Sequence, residues 1–498
     1  RGLGDVYKRQ KYFLHLHSEK LFMMTKLRKI ILIPALVIVF ISGFFSCGVD
    51  RWPEYAHQTA LDTWLLDIMQ QNYLWYQELP SYNDVNLFLE PDQFLSKVKS
   101  KNDSYSFVDS IMETPLPTYG FDYSLVRSAD IDTAYNALIT YVIPGSPAAE
   151  AGLVRGDWIM KVDTSYISKK YETQLLQGTK ARDLVMGVWK EVPVESEEGE
   201  ETVYKVVPDD RTLDLPAARV VVDNPIHKEE VLTLSDGTKV GYLMYSSFTA
   251  GTKTEPEKYN NELRAISNKF LAENVEYVIL DLRYNAGGSI DCVQLLGTIL
   301  TSASRLTQPM AYLEYNDKNT DKDVTINFDP TILGSGTNLN LPGLFAITSG
   351  TTAGAPEMLL RSLYLKEGYP VVSIGSATKG QNVATEQFIN EEFQWSVNPV
   401  VCRVYDSNHV MGEGSLAPAT DLKISETTID GVTNYSEFLP FGNRNERLLK
   451  VAIGVLEGTY PPKKDDEETT QKAQFKIEKS VSSPSSRRFV GGGGLKIK

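Results

Sequence analysis

Two glycine-bearing turns are the places in this chain where backbone chemistry could occur. In the first, the apolar run 277–282 leads into Arg283-Tyr284-Asn285-Ala286-Gly287-Gly288. A buried strand ending in Asn-x-Gly-Gly turns sharply and leaves N–H groups open to an incoming oxygen. The second turn, Thr351-Thr352-Ala353-Gly354-Ala355-Pro356-Glu357, follows the apolar run 344–348 and opens a helix expected over 355–366. Pro356 in its first turn gives up an N–H that has no intrahelical partner, and Glu357 complements the helix dipole. Together with Gly287 and Gly288, the free N–H groups at that helix start favour a carbonyl or carboxylate oxygen. Neither turn carries an evident nucleophile–base pair. Beyond residue 47 the only histidines are His57, His227 and His409, and none lies in a motif, so a Ser–His–Asp triad has little to be built from.

The elements that must position these turns alternate in type. Strands are expected at 240–245, 277–282, 344–348 and 371–374, and helices at 259–274, 355–366 and 446–456. That alternation predicts an α/β layered core over 214–460, with helices packed on a sheet. Ahead of it, 119–213 reads as a β-rich module. Tyr119-Gly120-Phe121 starts a strand, 137–143 is a second, and Pro144-Gly145-Ser146-Pro147-Ala148-Ala149-Glu150-Ala151-Gly152-Leu153 forms a turn and a short helix capped by Gly152. Arg155-Gly156-Asp157-Trp158-Ile159 then turns into a further strand, and an acidic, exposed loop is expected at 195–201. Residues 48–118 read as a helical cap, with Leu61, Trp64, Leu65, Ile68 and Met69 at helical spacing over 59–76 and further short helices over 91–112.

The succession from Ser146 to Ile159 closely resembles the PDZ pattern SPAxxAGLxxGDxI. The resemblance implies that a peptide adds as an extra strand and that Tyr119-Gly120-Phe121 offers backbone N–H groups to its C-terminal carboxylate. Asp281–Gly288 resembles the DLRxNxGG signature of the C-terminal-processing (S41) serine peptidases, which implies an oxyanion hole from Gly287, Gly288 and Ala355. Gly414–Asp421 resembles a further S41 strand motif, with an insertion before the Asp. The expected whole is a multi-domain α/β protein: a helical cap, a PDZ β-barrel-like module, and an S41 core of ClpP/crotonase-like layered sheets and helices.

The same resemblance puts the family's nucleophilic Ser at the third residue before Glu357, which is Gly354, and its Lys base in a G-x-x-T-x-G-K turn. Gly375–Gln381 matches that turn, with Gln381 at the Lys position. A serine hydroxyl needs an adjacent base, and a lysine serves only when its pKa is depressed. Glycine has no hydroxyl and glutamine does not titrate. Thr352 and Lys379 each lie two residues earlier, and i and i+2 share a face along an extended segment, so they are the candidate stand-ins, with Ser349 a further candidate. The expectation is a protein that binds peptides or protein C-termini with its catalytic pair substituted. The alternatives are an active serine-type endopeptidase and a PDZ scaffold.

The 498 residues carry a net charge of -14, which argues against a nucleic-acid partner. Met24 opens a basic stretch (Lys26, Arg28, Lys29), followed by an uncharged apolar run over 30–45 that ends at Ser46-Cys47. Such a run rises only about 24 Å as a helix, short for a ~30 Å hydrocarbon core. The layout is that of a secretory signal, and it resembles a lipoprotein signal in which Cys47 is acylated, giving a protein anchored in the cell envelope. Residues 1–23 precede this plausible start and are read as non-native or read-through sequence. Cys292 and Cys402 read as small buried hydrophobes, and no spacing calls for a metal or other cofactor. Residues 461–498 lose hydrophobic periodicity and read as a disordered tail.

Overall fold

The computed structural model describes residues 52–111, 116–196, 199–412, 414–429, 431–461, 476–481 and 494–497. The signal segment, Cys47 and residues 1–23 lie outside them. The helix Trp52–Asn72 begins in a first compact unit, Arg1–Asp62, and ends in a second, Thr63–Lys498, to which every other described element belongs. After it come the short helix Pro91–Val98 and the strand Phe107–Ser110. The helix Pro91–Val98 starts on a proline that supplies a pre-set φ, and it buries Phe94, Leu95 and Val98 on one face.

The β-rich module is a sheet in the order 477–481, 121–127, 135–142, 158–162, 182–196, 199–215, built from antiparallel pairs. Ser146 caps the short helix Pro147–Glu150 by accepting from the Ala149 N–H (3.2 Å). The acidic stretch expected as a loop is the far end of a long hairpin instead: strands Arg182–Ser196 and Gly199–Leu215 pair from Arg182↔Leu215 to Ser196↔Gly199. Its outer half is dense in Glu (Glu191, Glu195, Glu200, Glu201) and holds Pro193, which hides the period-two pattern of a strand.

The core contains a five-stranded sheet in the order 371–375, 344–348, 277–281, 239–245, 226–233. Its pairs are parallel except the last. The inner strands 239–245, 277–281 and 344–348 are covered on both faces and are largely apolar, whereas the edge strand 226–233 carries Lys228, Glu229 and Glu230. Val278 and Leu280 face helices Ile290–Leu300 and Ala355–Leu363, whereas Ile279 faces helix Arg447–Leu456 on the opposite side. Beyond the first pair of helices lies a six-stranded sheet in the order 287–289, 494–496, 383–385, 400–405, 309–315, 324–327. The layers are therefore helix, sheet, helices and sheet, a mixed α/β fold. Cys292 and Cys402 are free, fully buried members of the core between the sheets, where burial pushes the Cys292 thiol up to about 12.

Two of these strands, Ile477–Val481 and Gly494–Lys496, come from the stretch expected to be disordered. Each is added to a sheet whose other strands lie far away in sequence, so its order comes from its partners and not from its own periodicity.

Candidate active site

Strand Tyr277–Asp281 delivers the Arg283–Gly288 turn, and strand Leu344–Thr348 beside it delivers the Ser349–Gly354 turn. Parallel pairing puts both carboxyl ends at one sheet end, where crevices form in open α/β sheets. The two turns are tied together. The Ala353 N–H donates to the Asn285 carbonyl (3.1 Å), Asn285 Nδ2 to the Tyr245 carbonyl (3.0 Å), and the Gly287 N–H to Asn285 Oδ1 (3.0 Å). Under the turn, buried Arg283 pairs with Asp281 (2.7 Å) and Glu446 (2.6 Å). Arg155 of the β-rich module joins the same cluster through Glu426 (2.7 Å) and Tyr284 Oη (2.8 Å).

Gly354 sits at the mouth of helix Ala355–Leu363 with φ 68 and ψ -103, a conformation suited to glycine. Its N–H donates to Glu357 Oε2 (2.9 Å), and the same buried carboxylate accepts from the Gly380 N–H (2.6 Å), the Gln381 N–H (2.9 Å) and the Thr378 hydroxyl. Glu357 thus fastens the Gly354 turn to the Gln381 turn, which is how residues so far apart in sequence come together. Gln381 Nε2 donates to the Val383 carbonyl (2.9 Å), which fixes the amide's orientation. Among the described residues its Oε1 is buried without a hydrogen-bond partner, and it points at Gly494.

Gly287 and Gly288, at φ 132 and 139, form the opposite wall. A Cβ on Gly288 would lie 2.2 Å from the Phe248 carbonyl, so glycine is required by close approach as well as by conformation. Pro356 brings no N–H, the Gly354 N–H is taken by Glu357, and the Ala355 N–H, in the first turn, has no intrahelical acceptor.

The stand-in pair is not brought together. Thr352 is fully buried, its hydroxyl donating to the Leu282 carbonyl (2.9 Å) and accepting from the Ser349 N–H (2.9 Å). Lys379 is exposed at the surface, and what joins it to Thr352 is its backbone N–H on the Thr352 carbonyl (2.9 Å). Ser349 is likewise committed, donating to the Arg283 carbonyl. These hydroxyls hold the turn's shape. His227 meets Asp223 (2.9 Å) and Tyr141, and His409 meets Glu314 (2.7 Å), so neither activates a serine. His57 falls where side chains are not described.

Tyr119 and Phe121 are core residues, 1% and 2% exposed, and the Gly120 N–H is already given to Thr118 Oγ1 (3.1 Å). Gly120 is needed because a Cβ there would lie 2.3 Å from Ser146 Cβ. The module also presents the edge of strand Phe121–Arg127, which Ile477–Val481 occupies, pairing antiparallel from Tyr123↔Val481. Sequence reasoning also missed Glu357 as the clasp of the site, although its place three residues after Gly354 is a helix-start signal.

Comparisons with known proteins agree with this architecture. Residues 239–413 match the model of peptidase family S41, residues 60–107 the peptidase S41 N-terminal domain, and residues 138–190 a PDZ domain. Carboxyl-terminal-processing peptidase 2, chloroplastic, of Arabidopsis thaliana is 26% identical over 249 residues, covering 48% of this chain but only 41% of that protein. The crystal structure of a putative S41 protease from Bacteroides fragilis is 40% identical, covers 79% of this chain and 97% of its own, and superposes with a TM-score of 0.71. On that identity and coverage the chain belongs to peptidase family S41.

Proposed function

We propose that this protein is an exported, lipid-anchored S41 family member that binds peptides or protein C-termini without cleaving them. The observation that carries this reading is the pair Gly354 and Gln381, clasped together by Glu357 where family resemblance places the nucleophile and its base. Gly354 has nothing to attack with, and Gln381 accepts no proton at neutral pH. The peptide-receiving features remain: a strand-wide cleft beside Gly287–Ser289, and an extended edge on Phe121–Arg127. Main-chain pairing along such edges gives affinity, and side-chain pockets give selectivity. The Met24–Cys47 segment supports export and acylation at Cys47, with the envelope as location.

The active-endopeptidase reading would require Thr352 to leave two hydrogen bonds and the exposed Lys379 to become buried beside it. The test is cleavage of an unfolded protein by the chain from Cys47 onward, beside its Thr352→Val variant. No hydrolysis is expected from either. Hydrolysis by the parent that Thr352→Val abolishes would refute the non-catalytic reading. Fatty-acid labelling lost in Cys47→Ala tests the anchor, and an unlabelled parent refutes it.

A further inference from the structure

The strand Gly494–Lys496 fills the cleft as a peptide ligand would. It lies between strands Gly287–Ser289 and Val383–Thr385, parallel to both, and these two do not otherwise pair in the sheet order. The Gly494 N–H donates to the Ala286 carbonyl (2.7 Å), and the parallel register then aims the Gly494 carbonyl at the Gly288 N–H. On the other side the Ile497 N–H donates to the Thr385 carbonyl (3.0 Å). A Cβ built on Gly354 would stand 2.6 Å from the Gly494 carbonyl carbon and 2.5 Å from the Leu495 nitrogen. The Gly494–Leu495 peptide bond therefore occupies the space where a nucleophile's side chain would project, with its carbonyl on the glycine wall.

The side chains of this segment match the walls. A Cβ on Gly494 would lie 2.5 Å from Gln381 Oε1 and 2.7 Å from Nε2, so the cleft accepts only glycine there without displacing Gln381. Leu495 is 1% exposed, belongs to the core between the sheets, and lines a pocket with Met358, Arg361, Val404 and Tyr405. Upstream, Ile477–Val481 rides the edge of Phe121–Arg127. Glu478 meets Arg127 and Lys169 (2.9 Å each), and Lys479 meets buried Glu172 (2.7 Å). These two strands thus cover both peptide-receiving surfaces.

We propose that the strands Ile477–Val481 and Gly494–Lys496 are tethered ligands of this protein's own peptide sites, and that an incoming peptide with Gly-Leu at the cleft enters only by displacing them. This rests on the peptide-binding reading above. A segment docked nine-tenths of the time lowers the apparent affinity for a competitor about tenfold.

The test uses the full chain, a Leu495→Asp variant, and a Gly494→Val variant that leaves the apolar side chain intact. Hydrogen exchange reads residues 494–497 and 383–385, thermal melting shows that each variant is folded, and a fluorescent synthetic peptide of residues 490–498 is the binding probe. Expected are slow exchange in the parent, fast exchange in both variants, and about tenfold tighter probe binding by the variants. Fast exchange of 494–497 in the parent, with equal probe binding by all three chains, overturns the tethered ligand and leaves peptide binding standing. A protected segment with no probe binding by any chain overturns the peptide-binding reading, and displacement by peptides with it. Concentration-dependent dimers whose protection falls on dilution would place the segment in a second copy and overturn the tether.

Discussion

Gly354 lies where its backbone suits glycine and its neighbours leave no room for more. Replacing it with serine sets a side chain at φ 68 and presses it against the Gly494–Leu495 peptide. Gly354→Ser is therefore expected to destabilise the chain by about 1–3 kcal/mol, read as a fall in thermal midpoint; an unchanged midpoint would mean that the turn relaxes freely. Glu357 tells the complementary story. Its carboxylate accepts from three backbone N–H groups and one hydroxyl, so Glu357→Gln turns an NH2 towards donors. Urea unfolding should show a loss of about 2–3 kcal/mol, and little loss would mean that these bonds are not maintained in solution. At this scale the sequence located the two glycine turns, because fixed spacings within short motifs survive without knowledge of the fold. It did not reveal that Thr352 and Ser349 are spent on carbonyls. Which hydroxyl is free depends on contacts with Leu282 and Arg283, many residues away.

Between elements, the buried cluster of Arg155, Arg283, Asp281, Glu426 and Glu446 joins the β-rich module to the turn that carries Gly287. Burial alone would push the Glu446 carboxyl up, but Arg283 and Arg155 outweigh it and hold the group below its ordinary 4.5. A carboxyl lowered in the folded state stabilises fully above its unfolded pKa, and that contribution is lost as pH falls through the folded value. Stability measured by urea unfolding should thus hold near neutral pH and decline on acidification below 4.5. Glu446→Gln should cost about 3 kcal/mol at neutral pH and flatten that acid limb. An acid limb of the same slope in the variant would assign it to other carboxyls. The alternating strands and helices of the core were legible, since its inner strands are largely apolar and amphipathic helices repeat on one face. The long hairpin and the strands at 477–481 and 494–496 were not. The hairpin's charge hides its alternation, and an added strand takes its conformation from the edge it meets.

For the molecule as a whole, the resemblance to an S41 peptidase with a PDZ module is carried by the family matches and by the layered α/β fold. On the proposed reading the architecture is kept where the reactive pair is not: the turn that carries Gly354, the glycine wall and the Gln381 turn are still held together by Asn285 and Glu357. Cleavage of an unfolded protein, followed by intact-mass spectrometry, tests this most directly when the parent is run beside Gly354→Ser/Gln381→Lys. An untouched substrate is expected with the parent, alone or with Leu495→Asp, and hydrolysis products when Gly354→Ser/Gln381→Lys is combined with Leu495→Asp, which frees the cleft. Cleavage by the parent would contradict the non-catalytic reading.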